Sequence, residues 1–145
     1  IGVEEKEIEK ALLKKDDLLI VEGNGSPDQI GRVSLWDGSI SPILHQNHII
    51  KARFDNGAVL PDFAMYYYMT DEGRQQILDS AATTSGLYTL SLSKISGFML
   101  PIPSIDKQLQ FVEFARQSDK SKFELEQALS ELTATYKRII SEQLG

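Results

Sequence analysis

The sequence changes character at two prolines, Pro101 and Pro103. Before them, short apolar runs alternate with turns, and after them neither Gly nor Pro occurs until Gly145. Each proline removes a backbone donor and disfavours the α region for the preceding residue, so this short segment is predicted to be extended. A helix is predicted to follow directly, with Ser104 or Asp106 as its N-cap.

The region after the prolines has the heptad spacing of helices that pair with other helices. Apolar residues recur there at intervals of 4, 3, 4 and 3, in a stripe widened by Ala128 and Ile140: Leu125, Leu129, Leu132, Tyr136 and Ile139. A helix over 106–145 would be about 60 Å long, which exceeds the width of a small domain. We therefore expect it to pair with a second helix, from another part of a longer protein or from a second copy. The alternative is an ordinary amphipathic helix folded back on its own domain and broken near residues 118–121.

The first 105 residues have the mixed pattern of an α/β (α+β) domain. Short apolar runs bounded by turn residues predict four strands, over residues 18–21, 31–36, 40–44 and 48–54. Helical spacing predicts two helices, over residues 4–15 and 61–79. We expect Gly73 to weaken the second helix or to split it in two. Polar loops are predicted over residues 22–30 and 81–88.

Composition sets limits on the class of protein. The chain has 145 residues, a net charge of −6 and no cysteine. Without cysteine it can form no disulfide framework, thiolate metal site or cysteine nucleophile, and we expect a cytoplasmic location. No apolar run approaches the roughly 20 residues that a membrane span needs, so we expect no membrane association. The negative charge argues against simple nucleic-acid binding, which favours a basic surface.

The sequence contains no recognisable catalytic set. The turn at residues 23–26 lacks the endings of phosphate-binding loops, and no serine lies in a nucleophile elbow. His45 and His48, with Asp37 upstream, have a spacing that suits a metal site on a helix. The surrounding residues predict a strand, where this spacing puts the two histidines on opposite faces. We therefore expect no catalytic residue, no metal site and no cofactor.

Three stretches are instead rich in hydroxyl, amide and guanidinium groups, which contact phosphates and base edges in DNA. They are the loop before the second predicted strand, the region of the fourth strand, and the loop of residues 83–88. The candidate DNA-contacting residues are Asn24, Ser26, Arg32, Gln46, His48, Lys51, Arg53, Thr83, Thr84, Ser85 and Tyr88. The alternative is that they are ordinary polar residues of turns and of the surface.

These segments together resemble a target recognition domain of a type I restriction–modification specificity (S) subunit. The residues that carry the resemblance are 17–26, 30–32, 46–50 and 91–103, with Gln108. It covers nearly the whole chain, and its most specific part is the Pro-x-Pro sequence followed by that glutamine. Family members usually carry Glu before the glutamine, whereas this chain has Lys107.

The resemblance implies a specificity component, or half of one, that recognises a specific double-stranded DNA sequence. S subunits of this family have two recognition domains separated by spacer helices that pair antiparallel. They have no catalytic activity and position partner methyltransferase (M) and restriction (R) subunits. The expected fold is a mixed, curved-sheet target recognition domain over residues 1–105. A long coiled-coil spacer or dimerisation helix over 106–145 is expected to follow, and to dock the M subunit.

Two other functions stay open from the sequence. A coiled-coil assembly module that does not bind DNA would agree with the net charge of −6. Salt-dependent DNA binding by the intact complex would distinguish it from a DNA reader. A stand-alone methyltransferase or nuclease is the other alternative, and a methylation assay without added subunits would test it.

Overall fold

In a computed structural model of the protein, the residues that the structure describes are 12–22, 27–39 and 48–144. They form three strands and four helices. The strands are β1 (Leu18–Val21), β2 (Val33–Leu35) and β3 (Ile49–Ala52), and the helices are α1 (Pro61–Met69), α2 (Asp71–Ala81), α3 (Leu92–Ile95) and α4 (Ile105–Leu144). The predicted α/β (α+β) class with a long C-terminal helix is therefore confirmed.

Most of the predicted elements are present. The strands predicted over 18–21, 31–36 and 48–54 are confirmed, the last two being shorter than predicted. The strand predicted over 40–44 and most of the helix predicted over 4–15 lie outside the described residues. Residues 12–15, the described end of that helix, are not helical.

The helix predicted over 61–79 is divided, but at Thr70 and not at Gly73 as the sequence suggested. Thr70 is extended, and its hydroxyl donates to the Tyr67 carbonyl and accepts from the Gly73 N–H. Gly73 lies in the first turn of α2, where a Cβ would lie 2.2 Å from the Tyr67 carbonyl oxygen. The threonine therefore caps α2, and the glycine allows α2 to begin close to the end of α1.

The central strand of the sheet is β1. It pairs antiparallel with β2 on one side and β3 on the other, so the sheet of the described residues is antiparallel throughout. Side chains alternate between the faces of a strand, and Leu18 and Ile20 point to the same face. They pack in a buried cluster with Ile30, Tyr68, Ile77, Ala81 and Leu90. Burial of each large apolar side chain contributes about 1.5–3 kcal/mol.

An ion pair joins the amino end of β1 to the residue that follows β3. Arg53 donates from Nε and Nη2 to the two carboxylate oxygens of Asp17, each at 2.6 Å, and the Lys14 N–H donates to Asp17 at 2.7 Å. The Asp17 side chain is 1% exposed and that of Arg53 is 26% exposed. Burial raises the pKa of the Asp17 carboxyl, but the hydrogen bonds from Arg53 and Lys14 outweigh burial. The pKa of Asp17 therefore lies below its ordinary value of 3.8.

Gln108 anchors the first turn of α4 through its buried side-chain amide. Its Oε1 accepts from the Leu60 N–H at 2.8 Å, and its Nε2 donates to the carbonyls of Ala58 at 2.8 Å and Pro103 at 2.9 Å. The residue is fully buried. Because a buried amide is costly unless it is hydrogen-bonded, these three bonds make the position specific for glutamine.

The chain divides into two compact units, Ile1–Leu109 and Gln110–Gly145. The helix α4 is continuous from Ile105 to Leu144, so it has no break near residues 118–121. The Gln108 N–H donates to the Ser104 carbonyl at 3.0 Å, which places Ser104 at the N-cap position. Among the helices of the described residues, none has the length and apolar character that crossing a bilayer requires.

Replacing Gln108 by Ala should lower the free energy of unfolding by about 2–4 kcal/mol, because it leaves one N–H and two carbonyls without their partner. Gln110→Ala, at an exposed position of the same helix, is the matched control and should change stability by less than about 0.5 kcal/mol. Urea unfolding followed by the fluorescence of Trp36, the single tryptophan, measures both. Equal stability of the two variants would contradict the anchoring role.

Replacing Asp17 by Asn should lower the free energy of unfolding by about 2–3 kcal/mol near neutral pH, because the Arg53 guanidinium loses its carboxylate. The figure is below that of a fully buried pair because water screens the partly exposed arginine.

The pH dependence of this effect has a definite sign. The folded pKa of Asp17 is below the unfolded one, so its contribution is complete above about pH 4 and is lost as the pH falls through the folded value. The stability difference between wild type and Asp17→Asn should therefore shrink in acid. Asp16→Asn, at the neighbouring exposed position, is the matched control and should change stability near neutral pH by less than about 0.5 kcal/mol. A difference for Asp17→Asn that stays constant down to about pH 2 would contradict the assignment.

Candidate nucleic-acid interface

The carboxyl end of β1 is the point where several of the candidate residues meet. The Val21 N–H donates to the Arg32 carbonyl at 3.0 Å, and the Glu22 N–H donates to the His48 carbonyl at 2.7 Å. The Leu90 N–H, which follows the loop of residues 83–88, donates to the Glu22 carbonyl at 2.9 Å. These backbone bonds bring three distant segments to one end of the sheet. We call this region, formed by Arg32, His48 and residues 83–90, the loop face.

Arg32 is exposed on the loop face. One guanidinium N–H donates to the side-chain oxygen of Gln29 at 2.9 Å. A guanidinium has five N–H donors, and with respect to residues 12–22, 27–39 and 48–144 the others are available to an incoming phosphate or base.

The turn before Arg32 is held from α2 by another arginine. Arg74 donates to the carbonyls of Pro27 and Ile30, 47 and 44 residues away in the sequence. No local sequence signal marks Arg74 as a functional residue, because its partners are backbone carbonyls of a distant turn. Arg74 therefore acts as a positioning residue for the segment that carries Arg32.

Gly31 connects this turn to β2 in a conformation that only glycine adopts readily. Its φ is +67°, and a Cβ would lie 2.1 Å from Cγ2 of Ile77. Its N–H donates to the Val21 carbonyl at 2.8 Å. The glycine thus allows the turn to pack on α2 while Arg32 remains at the end of β1.

Hydrogen bonds within residues 83–88 determine which hydroxyl groups can donate to a ligand. The Thr83 hydroxyl donates to the Leu87 carbonyl at 2.6 Å and lies 3.0 Å from the Ser85 hydroxyl. Because a hydroxyl has one hydrogen, Ser85 is the donor of the second bond. Thr84 is exposed and has no hydrogen-bond partner among the residues that the structure describes. Of the hydroxyls of Thr83, Thr84 and Ser85, that of Thr84 is therefore the one whose hydrogen is available.

The loop is closed at both ends by backbone bonds. Ala82 and Tyr88 form a bridge at its base, and the half-buried Tyr88 belongs to this closure. At the tip, the Gly86 N–H donates to the Thr83 carbonyl at 3.1 Å, with φ at +78°. The backbone of the loop is therefore restrained, and its exposed side chains start from fixed positions.

Two of the candidate cations, Lys51 and Arg53, lie at the other end of β1. Lys51 pairs with Leu19, and both cations donate to the Leu12 carbonyl, at 3.1 and 3.2 Å. The hydrogen bond to Asp17 raises the pKa of Arg53, whereas burial, together with the charge of Arg53, lowers the pKa of Lys51. At about 3.3 Å per strand residue, the two ends of β1 are about 10 Å apart. The sequence placed these cations with the DNA-contacting set, but the structure directs their donors to protein acceptors.

The remaining candidates of this set, Asn24, Ser26 and Gln46, lie outside the described residues. His48 is exposed at the start of β3, with φ at +71°. Within residues 12–22, 27–39 and 48–144, no three histidine or carboxylate side chains are grouped so as to hold a metal ion.

The residues predicted for helix pairing form an exposed apolar stripe on α4. Leu125, Leu129, Leu132, Tyr136 and Ile139 have exposed fractions of 70, 64, 66, 65 and 47%. Large apolar side chains in a continuous row on one helix face are typical of surfaces that another helix covers.

Comparison with known proteins agrees with the predicted resemblance. The family model for the type I restriction modification DNA specificity domain matches residues 2–133. The chain is 26% identical over 148 residues to the type I restriction enzyme StySPI specificity subunit of Salmonella potsdam, an alignment that covers 98% of this chain and 32% of that protein. It is also 26% identical over 118 residues to the type I restriction enzyme EcoKI specificity subunit of Escherichia coli (strain K12), covering 78% of this chain and 24% of that protein.

The chain therefore spans about a third or less of the length of these curated relatives. The family match extends over most of its residues, from before the sheet into the second half of α4. The resemblance predicted from the proline segment and Gln108 is confirmed: the chain belongs to the family of type I restriction–modification DNA specificity domains.

Proposed function

We propose that this chain recognises a specific double-stranded DNA sequence as the specificity component, or half of it, of a type I restriction–modification complex. The observation that carries the proposal is the loop face, where Arg32, His48 and residues 83–90 meet at the end of β1. Family membership supports it, since both relatives are named specificity subunits. In this proposal the chain is non-catalytic and directs M and R subunits to the DNA.

The chemistry of the loop face suits a DNA groove. A guanidinium bonds to guanine edges or to phosphates, an imidazole can bond to base edges, and a hydroxyl donor such as that of Thr84 bonds to phosphate oxygens. Its exposed side chains come from different segments but from one end of the sheet, so one stretch of duplex can contact them together. Lys51 and Arg53 are assigned to the stability of the sheet in this proposal.

The net charge of −6 determines whether DNA binding should be measured on the chain alone or on its complex with M subunits. Much of the affinity of proteins for DNA comes from contacts between cations and phosphates. An acidic chain with few exposed cations on its loop face is expected to bind DNA weakly when alone. Its affinity would then depend on the charge of its M subunits. Experiments on DNA binding therefore require the M–S complex.

We assign a separate role to the last 40 residues of the chain. Residues 1–105 would form the recognition domain, and residues 106–145 would form a spacer helix whose stripe pairs with a second spacer helix, from the other half of a longer subunit or from a second copy. Burial of each large apolar side chain of the stripe would contribute about 1.5–3 kcal/mol. This pairing would set the spacing between two half-sites.

The double variant Arg32→Ala, Thr84→Ala should bind the recognised duplex about 10- to 100-fold more weakly in the M–S complex, because it loses a guanidinium and a hydroxyl donor. The slope of log affinity against log salt should fall by about one if Arg32 contacts a phosphate. Fluorescence anisotropy with a labelled duplex measures both quantities. Lys15→Ala removes an equal charge from an exposed position at the other end of β1 and should leave affinity nearly unchanged. Unaltered affinity of the double variant would reject these contacts.

The experiment also tests the alternative, an assembly module that does not contact DNA. The exposed stripe and the acidic charge favour that function. It would be supported if the M–S complex assembles but shows no salt-dependent, sequence-specific binding.

Replacing Leu132 by Asp should prevent helix pairing, because burying an unpaired carboxylate in an apolar interface costs several kcal/mol. The expected result is a lower mass by light scattering, for the chain alone or for its complex. Ser130→Asp adds the same charge two residues away, about 160° around the helix axis, and should leave the mass unchanged. A wild-type mass for Leu132→Asp would remove the pairing role of the stripe.

A further inference from the structure

The loop face carries one exposed leucine among its exposed polar side chains. Leu87 is 58% exposed and lies in the same loop as Thr84 and Ser85. Single exposed leucines are common on protein surfaces, so exposure alone would carry no argument. What distinguishes Leu87 is its place on a surface whose other exposed groups are hydrogen-bonding ones.

The backbone holds Leu87 in a fixed position. Its carbonyl accepts the Thr83 hydroxyl at 2.6 Å, and the next residue, Tyr88, forms the bridge with Ala82. The preceding residue, Gly86, is tied to the Thr83 carbonyl at 3.1 Å. A side chain that projects from a loop restrained on both sides loses little conformational freedom when it meets a ligand, so a contact made there is specific in position.

The chemistry of the DNA major groove limits what such a side chain can contact. The edges of the bases present hydrogen-bond donors and acceptors there, and their one apolar group is the C5-methyl of thymine. Leucine has no polar group with which to contact the other base edges.

We propose that Leu87 contacts a thymine methyl group in the major groove and thereby makes the chain prefer an A·T pair at one position of its half-site. This inference rests on the proposed function, since it requires the loop face to meet DNA. Leu87 is then a specificity-determining residue, while Thr84 contributes affinity through the backbone of the duplex.

The test uses the M–S complex and duplexes in which uracil replaces thymine, which removes only the methyl group. The recognised sequence is first obtained by mapping the modified bases in DNA of a host that carries the complex. Each thymine in and next to the half-site is then replaced in turn. Wild type should lose about fourfold in affinity at one position, equivalent to about 0.8 kcal/mol for one buried methyl group.

The variant Leu87→Ala should bind the thymine duplex about fourfold more weakly than wild type and should not distinguish thymine from uracil at that position. Leu109→Ala, a leucine of similar exposure at 52% in the first turns of α4, should keep the full difference between thymine and uracil. Urea unfolding confirms that both variants are folded, and the wild-type measurements stand without any variant.

Each of the other outcomes overturns a different statement. If the wild-type complex binds no DNA, the proposed function fails, and this inference fails with it. If binding is sequence-specific but no thymine is sensitive, or the half-site has no A·T pair, only the role of Leu87 is overturned. A loss of affinity in Leu87→Ala that is equal on all duplexes, with wild type insensitive to uracil, would instead indicate a side chain wedged between base steps.

Discussion

The backbone of β1 is the constraint on which the loop face depends. A central strand must have its N–H and carbonyl groups paired, because an unpaired buried backbone group is costly. At its carboxyl end, Val21 and Glu22 meet this requirement with Arg32, His48 and Leu90. Three segments that are far apart in the sequence are therefore held at one place by backbone bonds. Among the side chains they carry, those of Arg32, His48 and Thr84 are exposed.

The two ends of β1 show how burial decides the role of a cation. Arg53 and Arg32 are the same residue type, and they adjoin the two strands that flank β1: Arg32 precedes β2 and Arg53 follows β3. Arg53 meets a carboxylate that is 1% exposed and donates two bonds to it at 2.6 Å, so its charge is compensated within the protein. Among the described residues, the partner of the Arg32 guanidinium is an exposed amide oxygen. The first arginine stabilises the sheet, and the second has the donors that a DNA contact requires.

The proline segment and Gln108 form one structural device, which explains why they occur together in the sequence. Pro101 and Pro103 cannot donate backbone hydrogen bonds, so this segment must be held by other groups. The Gln108 amide supplies one of them by donating to the Pro103 carbonyl, while it also bonds to Ala58 and Leu60. The first turn of the long helix is thereby joined to the loop before α1.

Local sequence was sufficient to predict the features that depend on neighbouring residues: the strand β1, the start of α4, its heptad stripe and the polar character of the loops. Their patterns repeat every two to four residues, because residues at these spacings share one face of a strand or of a helix. One local feature was predicted at the wrong residue: the helix break expected at Gly73 lies at Thr70. Gly73 instead donates its N–H to the Thr70 cap and allows the close approach of α2 to the end of α1. The fold was needed to show that Arg53 bonds to Asp17, 36 residues away, and that Arg32 and His48 both bond to the carboxyl end of β1. The fold decides which groups lie next to a polar side chain, and the order of charges along the sequence does not specify them.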